Sequence, residues 1–579
     1  MKALPTNVVW PIATARAATA TAEIQLVAII TTAYFLIWFS LGGYSLFNNN
    51  EGVYASVAKD MLSRLDWVIP HLNGVPYQEK PPLHYYLLTL SFALFGVNEW
   101  SARAVSAASA SACLAIVYWA INTLAGRATA RLATLMLVSS IGFVMLARVV
   151  MPDMLLIGCF TAALLTSFVA WRRRSAAFYA LSLVALALAV MAKGLLALLL
   201  FGLIWALYIA ASWRTEDQGL LRFITRPLPW LAFLAVAAPW HIAAIVRDPN
   251  FAWAYFVNEH VMRFLGQRIP VDTYSGSVLY YLPRLVLLFF PWVVLLPAGL
   301  TAQPVRSAAD LDRFAWMATV VIVGFFTASS AKANYYVALA LPSAAIWLAL
   351  RLASKQAGGP SSRQLLLIGA MTCLVLMTGV WAVSLEVRWE AVLRRWRWDA
   401  LYPSLALAIG SLAVATWIGR AHSNRWQLPV GATALVLALA LGVVTVNEPK
   451  MSVHRLIERT YANCPDCTVM LYRDYEGISA AGFYTRQTVI PVIDSESDDL
   501  WWGQVKHPDA ESFVTSSDVL RRAMRGEHIS VVVTRHERKH FLRSPLGRFS
   551  VLLRRHGGVS TYRVRTTSDT AHALDIPLP

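Results

Sequence analysis

The sequence predicts a polytopic α-helical membrane protein that ends in a small soluble α/β domain. Three observations lead there. Hydrophobic residues make up 57% of the 579 and charged residues only 14%, with mean hydropathy +0.52, too little charge for the surface of a soluble protein of this size. Apolar runs long enough to cross a bilayer core of ~30 Å at ~1.5 Å per residue recur along most of the chain. Titratable residues gather between these runs and in the last part of the chain, not inside the runs.

Thirteen spans are predicted, at 24–46, 104–126, 129–150, 153–171, 176–192, 194–213, 228–246, 278–300, 314–330, 335–350, 364–385, 401–418 and 428–446. The runs flanking Asp153 and Lys193 nearly touch, so those boundaries are soft. Met1–Glu23 carries small residues at Thr14–Ala18, but its apolar run is short and broken by Pro11. A cytoplasmic tail is expected there rather than a cleaved leader. Residues 1–447 form a membrane domain with long outer loops at 47–103 and 247–277, and 448–579 form the soluble domain.

Orientation follows from Lys and Arg in the short connections. Arg127, Arg131, Arg172–Arg174, Arg214, Arg222, Arg226, Arg306, Arg313, Arg351, Lys355, Arg363, Arg420 and Arg425 fall on one side. That side is assigned to the cytoplasm with the N-terminus, which puts the long loops and the tail outside. The loop with Arg388, Arg394, Arg395 and Arg397 opposes this, but the sum over loops is clear. The net charge of +17 is then part topology signal and part affinity for anionic lipid. Basic residues split across both faces do not suit a nucleic-acid binder.

In the first outer loop, Val53, Val57, Met61 and Leu65 recur at helical spacing, which predicts a helix over 51–65 lying along the interface. Pro81-Pro82 break the chain, and Leu83–Phe95 is apolar but too short to span, so a surface or re-entrant segment is expected. In the tail, Thr468–Tyr472, Thr488–Val492 and Ile529–Thr534 read as strands. Ser452–Tyr461 and Ser517–Arg525 read as helices, the second capped by Ser517. The tail shows no Gly-rich phosphate loop and no catalytic constellation, so an accessory role is expected. Cys464 and Cys467 lie outside the membrane and predict a local disulfide. Cys113, Cys159 and Cys373 fall inside spans as small hydrophobes.

Chemistry-bearing residues converge on the outer side. They are Asn50-Glu51 with Glu79-Lys80, then Arg148 through Asp153, Lys193-Gly194, Asn258-Glu259-His260 through Arg263, and Lys332 near Tyr336, with Arg103 at the end of the first loop. Any single Lys or Arg among them reads as a side chain snorkelling to the interface. Together, on one face and with no ionisable group at mid-membrane depth, they suit a site that meets a lipid headgroup. A transporter would need polar groups along a mid-membrane path, and these spans have almost none.

Asn50-Glu51-Gly52-Val53-Tyr54-Ala55, Asp66 through Gly74 and Glu79-Lys80-Pro81-Pro82-Leu83 resemble the first outer loop of the bacterial aminoarabinose transferases (ArnT). These belong to the polyprenyl-phosphate-dependent GT-C glycosyltransferase superfamily. Arg148…Pro152-Asp153-Met154, Lys193-Gly194 and Glu259-His260…Arg263-Phe264 follow in the same order. The resemblance implies a GT-C fold with a periplasmic α/β tail in the bacterial inner membrane. It implies an enzyme that moves 4-amino-4-deoxy-L-arabinose from undecaprenyl phosphate to a lipid A phosphate, acting as a monomer. It also implies roles. Lys80 would contact the donor phosphate, with Arg103, Arg148, Lys193, Arg263, Lys332 and Tyr336 binding donor or acceptor. Glu79 and His260 would share a divalent metal, zinc by donor type, and Asp153 would sit at the reacting centre.

The family commonly has Asp-Glu where this chain has Asn50-Glu51. An amide cannot act as a base, so the carboxylate role falls to Glu51 and Asp153. A phosphate acceptor, second pKa ~6, is already anionic at neutral pH, whereas a hydroxyl on a protein or glycan would need a base. Asn50 therefore fits a phosphate acceptor and leaves a different acceptor or sugar as the alternative.

Overall fold

The computed structural model describes residues 27, 29–212, 219–271, 276–304, 306–353, 363–364, 366–372 and 427–565. The expected N-terminal tail, the span at 401–418 and most of that at 364–385, the loop of Arg388–Arg397 and Cys373 lie outside the described residues.

Long helices run over Glu99–Ala125, Pro152–Arg173, Ala176–Lys193, Pro227–Arg247 and Arg306–Ala328, each long and apolar enough to cross a membrane by length and composition. Two further pairs qualify only as bent elements: Arg127–Val138 with Ile141–Ala147, turned by 66°, and Val278–Leu288 with Trp292–Thr301, turned by 100°. The expected straight spans at 129–150 and 278–300 are these broken helices. Phe290-Pro291 stands at the second break, and Leu296–Thr301 carries its own proline at the start, where a missing N–H costs nothing. Shorter apolar helices at Leu196–Ser212 and Tyr336–Leu352 fill the bundle. Its core is a continuous aromatic and aliphatic cluster that includes Trp205, Trp292, Phe168 and Tyr208.

The helix expected over 51–65 is Asn50–Arg64, but it is not a free interfacial helix. Its apolar face packs under the tail: Gly52 lies so close that a Cβ would meet the Ala480 main-chain nitrogen at 2.4 Å. Lys59 donates to the carbonyls of Gly482, Phe483 and Thr485 at 2.8–3.1 Å. Leu83–Phe95 is one helix that buries Tyr85, Leu88 and Phe92 and exposes Leu90, Leu94 and Phe95, the two-sided pattern of a surface segment. A short hairpin, β1 (His71–Leu72) with β2 (Val75–Pro76), turns the loop between them.

The tail is an α/β domain around a mixed sheet with order β5-β4-β3-β6-β8-β7. Its strands are β3 (Thr468–Tyr472), β4 (Val492–Ile493), β5 (Phe513–Val514), β6 (Ile529–Thr534), β7 (Ser550–His556) and β8 (Val559–Val564). β3 to β6 are parallel neighbours and β8 joins β6 antiparallel. The expected strand at 488–492 is reduced to β4. The helix expected from Ser517 starts earlier, at Ser516, because Thr515 and Asp518 form a reciprocal capping box, which satisfies two orphan N–H groups at once. Cys464 and Cys467 are disulfide-bonded.

Candidate functional site

Two cavities meet on one side of the bundle. The first is polar, about 440 Å³, and is lined by Asn50, Tyr54, Glu79, Lys80, Asp499 and Tyr336 among others. The second is a groove of about 670 Å³ walled by Leu195, Leu196, Leu199, Phe256, Phe264 and Phe325. Glu79, Lys80, Lys193, Arg263 and Tyr336 line both. A greasy channel thus opens onto a polar chamber through a mainly cationic threshold.

Local structure explains how the threshold is held. Glu259 and His260 lie on the π-helical stretch Trp253–Met262. Asn258 clasps the main chain of Ile269 from both sides, at 2.8 and 2.9 Å, which fixes the neighbouring Arg268. Arg268 then bridges two carboxylates, Glu259 at 2.5 Å and Glu79 at 2.7 Å. Arg263 adds a 2.7 Å bond to Glu259. Burial pushes the Glu259 carboxyl up, but Lys80, Arg263 and Arg268 outweigh it and hold it well below the usual carboxylate range. Lys80 is the loosest cation of the set. Its ammonium lies 3.4 Å from the Glu79 carbonyl, 3.5 Å from Glu259 and 3.6 Å from the Glu79 carboxylate, distances that leave room for a stronger acceptor.

Asp153 stands in the first turn of Pro152–Arg173, where Pro152 starts the helix and the helix dipole favours a negative charge. One of its oxygens pairs with Lys193. The other, Oδ2, is buried and has no hydrogen-bond partner among the described residues. Lys193 also lies over the Tyr336 ring at 4.6 Å. The next residue, Gly194, has φ +103°, and a Cβ there would sit 2.4 Å from His260 Nε2, so the turn requires glycine. His260 accepts the Leu195 N–H at Nε2, 2.9 Å, and its Nδ1 donates to the Tyr255 carbonyl at 2.6 Å. Burial pushes this imidazole below its ordinary pKa, in keeping with a neutral ring.

Glu79 and His260 do not fit a shared metal in this arrangement. Both imidazole nitrogens are committed to the main chain, and Glu79 is held by Arg268. Among the described residues, no three His, Cys, Asp or Glu side chains are grouped to hold an ion. The contacts His260 does make fasten the turn at Gly194-Leu195, next to Lys193.

Three other expected site residues are placed away from the cavities. Glu51, 1% exposed, receives Arg103 at 2.9 and 2.8 Å and the N–H groups of Phe47 and Val150 at 3.0 Å. Arg103 also donates to the carbonyls of Leu41, Tyr44 and Ser45. Arg148 donates to the carbonyls of Leu36, Ile37, Phe39 and Ser40. These groups tie residues 36–47 to the Asn50–Arg64 helix and to Val150, and none of the three, expected to meet substrate, lines either cavity. Lys332 does line the polar cavity, yet its ammonium caps helix Arg306–Ala328 through the carbonyls of Phe326 and Thr327 at 3.0 and 2.7 Å. Asn50 lines the chamber.

Several cavity residues stand outside the site residues expected from the sequence: Arg268, Tyr54, Tyr77, Glu476, Asp498 and Asp499. The last three come from the tail, which is therefore a wall of the chamber as well as an accessory module. The tail is latched there by Lys506, which pairs with Asp248 of the second outer loop, and by Trp502 against Trp253 at 5.9 Å. Nothing in the tail's own pattern marks these carboxylates; the packing of the tail against the long loops brings them to the chamber.

Comparison with known proteins agrees with this architecture. Residues 79–242 match the family described as dolichyl-phosphate-mannose-protein mannosyltransferase. The undecaprenyl phosphate-α-4-amino-4-deoxy-L-arabinose arabinosyl transferase of Aeromonas salmonicida is 27% identical over 506 residues, 84% of this chain and 89% of that protein. The protein of the same name from Pectobacterium carotovorum is 28% identical over 434 residues, covering 72% and 76%. The crystal structure of ArnT from Cupriavidus metallidurans bound to undecaprenyl phosphate superposes with TM-score 0.75 at 22% identity, covering 93% of this chain and 97% of that one. The fold is thus the GT-C fold of that structure, and the resemblance to bacterial aminoarabinose transferases carried by Asn50–Ala55, Glu79–Leu83 and Glu259–Phe264 extends over most of the chain.

Proposed function

We propose that this protein is an integral-membrane glycosyltransferase that moves 4-amino-4-deoxy-L-arabinose from undecaprenyl phosphate to a phosphate of lipid A. Such a modification lowers the negative charge of the outer surface and gives resistance to cationic antimicrobial peptides such as polymyxin. The observation that carries the reading is the junction of an apolar groove and a polar chamber at Lys80, Lys193 and Arg263. A polyprenyl chain suits the groove, its phosphate the cationic threshold, and its sugar the chamber.

In the reaction, the bond from the anomeric carbon to the donor phosphate breaks and its electron pair leaves with the phosphate. Lys80 and Arg263 stabilise the charge gained there, the kind of preorganised electrostatic help that is strongest where water is excluded. The unpartnered Oδ2 of Asp153, in a small pocket it shares with the chamber residues Lys193, Tyr335 and Tyr336, supplies a negative charge for the positive charge developing on the sugar. An anionic phosphate oxygen of the acceptor then forms the new bond without giving up a proton to a base, which is compatible with Asn50. We assign the chamber and the tail domain, residues 448–579, to the periplasmic face, with the N-terminus cytoplasmic, on the charges of the loops, and 1–447 with its thirteen spans to the inner membrane.

Mass spectrometry of lipid A from cells with and without this protein tests the reading. A mass addition of one aminopentose on a phosphate, present only with the protein, is expected. Unchanged lipid A with a new sugar on a protein or glycan would transfer the function to a hydroxyl acceptor.

A further inference from the structure

The chamber is polarised in charge. Lys80, Lys193 and Arg263 lie on the side shared with the groove, whereas Glu476, Asp498 and Asp499 line the chamber alone. The other two cations there are engaged: Lys332 by helix carbonyls, Arg268 by Glu79 and Glu259. The acids differ among themselves. Glu476 accepts from Ser497 at 2.5 Å and from the Asp499 main-chain nitrogen at 2.6 Å. The Asp499 carboxylate accepts no hydrogen bond from any described residue. An independent polar group points to the same space: Tyr54 is 8% exposed, lines the chamber, and its hydroxyl has no hydrogen-bond partner among the described residues.

We propose that Asp499, with the Tyr54 hydroxyl, is the specificity-determining pair that recognises the protonated amine of the sugar being transferred, a reading that rests on the transferase function above. An alkylamine is cationic at neutral pH, and it offers N–H donors to both a carboxylate and a phenol oxygen. Burial, with Glu79 and Glu476 nearby, pushes the Asp499 carboxyl well above its ordinary value; a bound ammonium would supply the missing counter-charge. The sign of the site is therefore matched at both ends of the donor, phosphate at the cations and amine at the tail-domain acid. A neutral sugar would leave the half-buried Asp499 carboxylate without a partner in the chamber, which is how a polar site rejects an analogue lacking the expected group.

The test uses the full chain reconstituted in lipid nanodiscs, with two undecaprenyl-phosphate donors, one bearing the free 4-amine and one the same sugar N-acetylated. The native protein is expected to favour the free amine in kcat/KM by at least about tenfold. Asp499→Asn should lower kcat/KM for the free amine by about tenfold to a hundredfold and bring the ratio between the donors towards one. Asp499→Glu should recover part of that ratio, and Tyr54→Phe should reduce it less. An equal loss on both donors, or an unchanged ratio, would overturn the assignment and leave Asp499 as a structural acid. Absence of transfer from either donor by folded native protein would instead sink the transferase reading, and this proposal with it.

Discussion

Arg268 holds Glu259 at 2.5 Å and so ties the second outer loop into the threshold between groove and chamber. The same guanidinium reaches Glu79 at 2.7 Å in the first loop, which makes it the link between two loops far apart in sequence. Removing it leaves two carboxylates facing each other, with Lys80 and Arg263 the remaining cations on them among the described residues. Breaking one partner out of a buried ionic group costs ~3–5 kcal/mol. Arg268→Ala should lower the thermal midpoint in detergent and raise the donor KM; a variant with native stability and kinetics would reduce Arg268 to a bystander.

The same cluster predicts a pH dependence. The folded Glu259 carboxyl is depressed, so its contribution to stability is fully present at neutral pH and lost as pH falls through the depressed folded value, below the ordinary Glu range near ~4.3. Thermal denaturation should show the native midpoint above that of Arg268→Ala at neutral pH, with the gap narrowing as pH falls below the ordinary Glu range. Coincident curves would mean that Glu259 draws no net support from its cations.

Lys80 is expected to be required for turnover, because in the proposed reaction the departing lipid phosphate gains charge beside its ammonium. Lys80→Ala should cost ~100-fold or more in kcat with normal folded yield, since none of its present contacts is closer than 3.4 Å. Single-turnover assays on purified protein measure this directly, and near-native rates would return Lys80 to the class of interface lysines.

Asp153 and Asn50 are expected to behave unequally. Asp153→Asn keeps the size of the side chain but removes the charge that pairs Lys193 and that the proposed reaction sets beside the sugar, so a loss of ~100-fold or more is expected. Asn50→Asp should be tolerated within a few-fold. An increase of orders of magnitude on Asn50→Asp would identify a native protein adapted to another acceptor.

His260 tests the metal expectation. With Nε2 accepting from Leu195 and Nδ1 donating to Tyr255, its task is to position the turn that carries Lys193. Activity should survive exhaustive chelation, elemental analysis should find no stoichiometric zinc, and His260→Ala should be matched in severity by Gly194→Ala. Stoichiometric zinc lost in both Glu79→Ala and His260→Ala would restore a metal shared by the two side chains.

Much of this protein is written locally. Long apolar runs specify membrane helices because a bilayer imposes one length and one polarity on them, so helix boundaries such as Ala176–Lys193 and Pro227–Arg247 were legible within a few residues. β-branched runs specified β3 and β6, and the Glu79-Lys80-Pro81-Pro82 motif lies where the two cavities meet. Charge by itself did not separate working from supporting residues. Glu51, Arg103 and Arg148 look in sequence like Glu79, Lys80 and Arg263. Only the tertiary structure decides that the first three are buried against the main chain, with Glu51 paired to Arg103, while the others face the cavities. It alone also brings Arg268, Tyr54 and the tail's Asp499 to the chamber. Their roles depend on which groups share a cavity across separate segments, a distance in space that no local pattern encodes.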